Sequence, residues 1–276
     1  DLDGGNLSTP NPSTYTVETN TFTLNNPTKV GYTFTGWTGS NGETPSNVTI
    51  EKGSIGNRSY TANYSINGYT LTIDPKGGNY PGEQVIEEDY GTVVTIEEPT
   101  KTGYTFTGWT LTGSGTYNNN LYTFGEGNGK LEANYTPIEY TITYKGLTQE
   151  EETTLNNPNS YTIETSTFTL SNPSNRLDED EGGEVFVGWK EKNESTPSIS
   201  INLPDTNKLG NKEYTAVFNE REPNVYNITY NLNGGELSTS NPSTYKKSEL
   251  PITLNNPSKT GYTFTGWTGK GLSSET

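Results

Sequence analysis

Gly31-Tyr32-Thr33-Phe34-Thr35-Gly36-Trp37 recurs unchanged as Gly103–Trp109 and again as Gly261–Trp267. A fourth, degenerate copy, Gly183-Glu184-Val185-Phe186-Val187-Gly188-Trp189, keeps the first Gly, the Phe and the Gly-Trp. The tryptophans fall at 37, 109, 189 and 267, so the spacings are 72, 80 and 78 residues. A catalytic site is normally built once, whereas a packing unit is built once per module. A period of this size marks a repeat array.

Neighbouring segments keep step with the motif. Phe22-Thr23-Leu24-Asn25-Asn26-Pro27, Phe168-Thr169-Leu170-Ser171-Asn172-Pro173 and Ile252-Thr253-Leu254-Asn255-Asn256-Pro257 precede it, and Val94-Thr95-Ile96 before Pro99 is the second copy. Tyr60–Tyr64, Leu131–Tyr135 and Tyr214–Phe218 follow it. Each module opens with an alternating run, as in Tyr69–Ile73, Tyr140–Tyr144 and Tyr226–Tyr230. Alternation of aromatic or branched residues with Thr, Asn or Glu reads as strand with one face on a core and one in water. Gly77-Gly78 and Gly234-Gly235 follow opening strands and read as tight reversals. No segment carries a sustained helical period. At most a short turn of helix is expected in each module, near the Asn-Pro segment.

Strict alternation puts Tyr32 and Phe34 on one face and Trp37 on the other. Gly36 is therefore expected to mark a bulge that turns the indole inward. Large apolar residues are otherwise scarce, so the motif aromatics are expected to fill the cores. These are Tyr32, Phe34 and Trp37, then Tyr104, Phe106 and Trp109, then Phe186 and Trp189, then Tyr262, Phe264 and Trp267. The competing reading makes them a platform for sugars.

The phase divides the chain into module 1 (1–65), module 2 (66–137), module 3 (138–223, with the degenerate motif and an acidic loop) and module 4 (224–276). Leu2-Asp3-Gly4-Gly5 matches Leu232-Asn233-Gly234-Gly235. Module 1 is thus expected to lack its opening strand and module 4 its closing strand, as in a window cut from a longer array. Links between modules are short, and one contains Pro223, which limits hinge motion. The expected fold is mainly β, in tandem modules of about 70–85 residues with little helix, arranged as an elongated rod.

Composition narrows the chemistry. The 276 residues carry 17 Lys+Arg against 33 Asp+Glu, a net charge of -16, which disfavours nucleic acid and anionic membrane as partners. Cys and His are both absent, which excludes thiolate chemistry, His-dependent triads and His or Cys metal sites. Met is absent too, and the chain reads as a fragment or processed product, its sulfur-free composition suiting an extracellular setting. No apolar run reaches membrane-spanning length.

Three features together resemble a known family. They are Gly-Tyr-x-Phe-x-Gly-Trp preceded by Pro27-Thr28-Lys29, Pro99-Thr100-Lys101 or Pro257-Ser258-Lys259; an opening Tyr-x-Ile-x-Tyr strand; and a closing Tyr-x-Ala-x-Tyr strand. Over essentially its whole length the chain resembles the Listeria–Bacteroides repeat, the B-repeat type of internalin-like surface proteins. The resemblance implies small β-grasp-like modules, set in tandem in cell-surface proteins between a binding head and a wall anchor. The third copy departs from the pattern, replacing the Pro-x-Lys approach with Asn175–Gly183.

Other candidate chemistry is thinner. Asp178, Glu179, Asp180 and Glu181 could hold Ca²⁺ through oxygen ligands; a solvated acidic loop is the stronger reading. Asp1-Leu2-Asp3-Gly4-Gly5-Asn6 has the look of an EF-hand start, but the matching segments do not keep its acids. No carboxylate pair recurs, and no Ser has a convincing base, so no catalytic residue, cofactor or enzymatic activity is expected. Lys145 and Lys190 lie in or beside strand-like segments and are weak candidates for Lys–Asn isopeptide links. The sequons at Asn6, Asn47, Asn57, Asn63, Asn134, Asn193 and Asn227 occur no more often than this composition produces by chance.

The expected function is a non-enzymatic stalk that spaces or displays an adhesive region at a microbial surface, outside the cell. Its partners are then neighbouring modules of the same longer chain. Two alternatives stand beside it. In one the array is itself an adhesin for host glycan or matrix protein, through exposed Tyr and loop residues. In the other it self-associates as a filament subunit by strand addition.

Overall fold

The computed structural model describes residues 1–40, 42, 45–178 and 180–270. The protein is 41% strand and 4% helix, which makes it mainly β. Its chain divides into two compact units, Asp1–Ile138 and Glu139–Thr276. The first unit holds the residues read as modules 1 and 2 together with Ile138, and the second holds the rest.

Module 1 contains β1 (Phe22–Thr23), β2 (Tyr32–Gly39), β3 (Thr49–Ile50) and β4 (Tyr60–Ile66). β2 and β4 pair antiparallel, as do β1 and β3. Module 2 runs through β5 (Gly68–Asp74), β6 (Val85–Asp89), β7 (Val93–Thr95), β8 (Tyr104–Gly113), β9 (Thr116–Asn118), β10 (Leu121–Thr123) and β11 (Gly129–Pro137). It forms one sheet in the order β6-β5-β11-β8 and a small one in the order β7-β10-β9. Module 3 has β12 (Tyr140–Lys145), α1 (Gln149–Leu155), β13 (Ser160–Tyr161), β14 (Phe168–Thr169), β15 (Arg176–Asp178), β16 (Gly182–Glu191), β17 (Asn202–Leu203) and β18 (Lys212–Arg221). Its main sheet runs β13-β12-β18-β16-β15. In modules 2 and 3 the first and last long strands lie side by side in parallel, β5 with β11 and β12 with β18.

Three buried clusters form, one around each of the first three tryptophans. Trp37, Val48, Ile50 and Ala62 make the first. Leu71, Ile73, Ile96, Tyr122, Phe124 and Leu131 make the second, with Trp109 partly buried against it. Ile142, Tyr161, Leu170, Phe186, Trp189, Leu203, Tyr214 and Ala216 make the third. The closing strand supplies a small Ala opposite each indole: Trp37 faces Ala62, Trp109 faces Ala133 and Trp189 faces Ala216.

One expectation needs correcting. Strands were expected at Ile252–Leu254 and across Gly261–Trp267. Beyond β19 (Tyr226–Asn227) and β20 (Thr244–Tyr245), module 4 shows only isolated bridges. β2, β8 and β16 each pair their backbone with a closing strand, and residues 224–270 contain none, so the motif there has no ladder to join. At most a short turn of helix is expected in each module. Among the described residues α1 in module 3 is the one α-helix, and Lys247–Glu249 makes a single 3₁₀ turn. Thr148 and Glu151 close a capping box on α1, with Glu151 N–H donating to Thr148 Oγ1 at 3.2 Å and Thr148 N–H to Glu151 Oε2 at 2.7 Å. Its C-cap, Asn156, is left-handed and leads into Asn157-Pro158.

Candidate functional site

The geometry of the repeated motif explains most of its letters. The β2–β4 register shifts between Phe34 and Gly36, and Gly36 has φ 140°. The same shift appears between Phe186 and Gly188 in β16, and β8 skips one residue before Gly108. Gly108, Gly188 and Gly266 have φ 135°, 146° and 144°, a region that side chains rarely enter. This is the bulge anticipated at Gly36, and it puts Phe and Trp on one face. Phe34–Trp37, Phe106–Trp109, Phe186–Trp189 and Phe264–Trp267 all meet edge to face, at 5.5, 5.4, 5.7 and 5.5 Å between ring centres.

Asparagines before proline serve the indoles and the loops. Trp37 Nε1 donates to Asn26 Oδ1, and Trp189 Nε1 to Asn172 Oδ1, both at 3.0 Å. Module 2 has Glu98 at that position, and among the described residues the buried Trp109 Nε1 finds no partner. Among the described residues Trp267 Nε1 also lacks one. A second set of asparagines staples segments fourteen residues apart: Asn11 to Asn25, Asn157 to Ser171 and Asn241 to Asn255. Each side chain donates to the carbonyl and accepts from the N–H of the same residue.

The Pro-x-Lys approach forms a second anchor, which sequence reasoning missed. Lys29 Nζ lies 4.7 Å from the Tyr32 ring centre and 5.0 Å from that of Tyr64. Lys101 repeats this over Tyr104 and Tyr135 at 4.5 and 5.0 Å. Lys259 lies 4.5 Å over Tyr262. Each ammonium also donates to a carbonyl in the glycine turn: Asp3 at 2.8 Å, Lys76 at 3.1 Å and Asn233 at 2.9 Å. In module 3 Arg176 replaces the lysine, 3.9 Å over Phe218 and bonded to Glu151 and Glu184. The signal was present in the recurrence of Lys at a fixed distance before the motif.

The tyrosine that ends the closing strand locks the same turn. Tyr64 hydroxyl donates to Leu2 carbonyl at 3.0 Å and Tyr135 to Pro75 at 2.9 Å. A Cβ on Gly5 or Gly78 would sit 1.9 or 2.0 Å from those hydroxyl oxygens. The second glycine of the Gly-Gly pair is therefore fixed by close approach, and the turn reading alone did not reveal this. Burial raises the pKa of both hydroxyls.

The expected core residues divide by position. Trp37 is 2% exposed, Trp189 1% and Phe186 8%. Phe34, Phe106, Trp109, Phe264 and Trp267 are half-buried. The motif tyrosines are not core residues: Tyr32 and Tyr104 are half-buried beneath the lysines, and Tyr262 stands 73% exposed. Among the described residues module 4 has no closing-strand tyrosine to pack on its other side.

The acidic loop has internal duties. Asp178 accepts from the backbone N–H groups of Asp180 and Glu181, which holds its carboxyl below the usual range. Asp180 accepts from the Tyr226 hydroxyl at 2.5 Å and pairs with Lys247 Nζ at 3.1 Å, and its pKa is lowered in turn. Glu179 lies outside the described residues. No group of three potential metal ligands occurs among the described residues. Lys145 Nζ pairs with Glu213 at 2.9 Å and not with an asparagine.

Modules within a unit also touch. Tyr90 packs edge to face on Tyr32 at 6.4 Å and fills the space where a Gly31 Cβ would stand, 2.1 Å from its ring. Asn67 N–H donates to Gly31 carbonyl at 3.0 Å. Asp180 with Lys247 and Tyr226 plays the corresponding part between modules 3 and 4.

The chain is 26% identical over 97% of its length to a protein of Evansella cellulosilytica named "Putative Gly-rich membrane protein", covering 29% of that relative. It is 38% identical over 30% of its length to Internalin H of Listeria monocytogenes, covering 15% of it. The chain thus spans less than a third of either relative. Among solved structures, domains 3-4 of the Streptococcal High Identity Repeats in Tandem from a cell surface protein match 57% of this chain and 99% of their own, at 17% identity and a TM-score of 0.24. No helix among the described residues is long and apolar enough to cross a membrane. The Listeria-Bacteroides repeat model matches residues 1–68, 69–133 and 226–275, and the chain belongs to that family.

Proposed function

We propose that this chain is a spacer segment of a longer microbial cell-surface protein, with no catalytic role, and that its partners are neighbouring modules of the same chain. The observation that carries this reading is where the repeated residues point. Trp37 and Trp189 are buried, and Lys29, Lys101, Tyr64 and Tyr135 are spent on the module's own turn. A binding face repeated for avidity would instead hold its repeated residues outward.

The strand arrangement suits a load-bearing role. In modules 2 and 3 the chain enters along one strand of a parallel pair and leaves along the other, at the opposite end. Tension along the chain then shears several hydrogen bonds at once and does not unzip them singly. The surface location rests on the family and on the similarity to Internalin H.

The test is binding of the full chain to a broad glycan array and to matrix proteins. A spacer gives no saturable signal. Saturable binding that is lost when half-exposed tyrosines are changed, with folding intact, would replace the spacer reading with the adhesin one.

A further inference from the structure

The same strand edge is closed in modules 1 and 3 and open in module 2. In module 1 the Trp37 N–H points away from β4 and donates to Pro45 carbonyl at 3.0 Å. In module 3 Trp189 N–H donates to Ser198 carbonyl and Ser198 N–H donates back, both at 2.8 Å, in an antiparallel bridge. Both covering segments read Thr-Pro-Ser, at 44–46 and 196–198. A Cβ on Gly188 would stand 2.8 Å from the Ser198 backbone.

Module 2 has no such cover. Its corresponding stretch, Thr116–Asn118, turns away as β9 and pairs with β10. β8 is left as the outer strand of its sheet, paired with β11 alone. Trp109 faces Ala133 as Trp37 faces Ala62, so its N–H also points outward, and among the described residues no backbone acceptor meets it. A Cβ on Gly108 would meet nothing within 4 Å. An edge of this kind is a template for strand addition.

The charge beside it is specific to module 2. Glu98 occupies the position that Asn26 and Asn172 hold elsewhere, with Glu97 next to it. Both are exposed, and neither is ion-paired among the described residues. Glu98 lines a cleft of about 590 Å³ with Asn79, Thr100, Thr105 and Phe106, which leads to the start of β8. The cation in that cleft, Lys101, is already committed to Lys76 carbonyl and two tyrosine rings.

We propose that the outer edge of β8 at Gly108 and Trp109 docks an extended cationic peptide segment of Thr-Pro-Ser type, added antiparallel where Pro45 and Ser198 lie in the sister modules. The carbonyl of its serine accepts from Trp109 N–H, and its basic residue faces Glu97 and Glu98. This assignment stands independently of the spacer reading.

The test uses the ¹⁵N-labelled full chain and a peptide of residues 195–200 carrying Ile199→Lys, because Ile199 carbonyl meets Asn172, the counterpart of Glu98, in module 3. The expected result is a saturable shift of the Trp109 amide and its β8 neighbours, with the Trp37 and Trp189 amides unmoved. N-methylation of the peptide serine matching Ser198 abolishes it. Glu98→Lys, at an exposed position, weakens the lysine peptide by about two- to five-fold, the scale of an exposed ion pair. Three outcomes overturn the proposal: no shift at millimolar peptide, an equal response to the N-methylated peptide, or a Trp109 shift that follows protein concentration without peptide. The last would give the edge to a second copy of this chain.

Discussion

Glu98→Asn tests the account of the indoles directly. Asn26 and Asn172 accept from Trp37 and Trp189 at 3.0 Å, whereas Trp109 Nε1 is buried without an acceptor. A buried unpaired donor costs about 1–3 kcal/mol, and a neutral hydrogen bond contributes about 0.5–1.5 kcal/mol net. Glutamate does not fill the role because its charge would have to leave water to reach the indole. Asparagine carries no such penalty and ends one carbon nearer the chain. Module 2 is therefore expected to gain about 1 kcal/mol, which raises the midpoint of a module this size by about 4–8 °C. The assays are thermal unfolding and hydrogen exchange of the Trp109 indole N–H, which should slow. The converse change, Asn172→Ala, should lower the stability of module 3 by about 1–3 kcal/mol. If Glu98→Asn leaves both midpoint and indole exchange unchanged, while Asn172→Ala is silent, the pre-proline asparagine is not the indole's partner in solution.

Gly188→Ala should cost about 1–3 kcal/mol in module 3, because its φ of 146° is hostile to a side chain and Ser198 backbone stands 2.8 Å from the new Cβ; urea unfolding reads this. Trp189→Ala should cost about 3–5 kcal/mol, comparable with the whole stability of a small module, so loss of its dispersed amide signals is the expected readout. The Glu151 carboxyl is held at about 2, chiefly by hydrogen bonds from Arg176, against an ordinary 4.5. A depressed folded-state pKa stabilises above the unfolded value, so module 3 should lose stability as pH falls from about 4.5 towards 2. The loss should be about 1–2 kcal/mol, limited because the pair borders solvent, and Glu151→Gln should flatten that part of the pH profile. Single-molecule stretching should show modules 2 and 3 yielding in discrete steps, each at a force that reflects shear of the β5–β11 or β12–β18 pair. Gradual yielding at low force would contradict the load-bearing geometry.

The sequence by itself determined the repeat, its phase, the β class and the bulge at Gly36. Each of these is a local property: alternation, periodicity and a glycine where alternation fails. The family was equally legible, since its motif lies within a few contiguous residues of Gly31–Trp37. The tertiary structure decided which side chains meet across long stretches of chain. Lys29 reaches a turn 26 residues back, and Tyr64 reaches one 62 residues back, so the Pro-x-Lys and the terminal Tyr looked unrelated until folding joined them. The same holds for the second glycine of Gly-Gly, whose need is set by a hydroxyl from the far end of the module. Module 4 shows the limit of local pattern: Gly261–Trp267 has the full motif, yet it forms no strand without a partner to pair its backbone. The edge at Trp109 is likewise invisible in its own letters, which are identical to those around Trp37. Only the path taken by the next segment, away from β8 and onto β10, leaves it open.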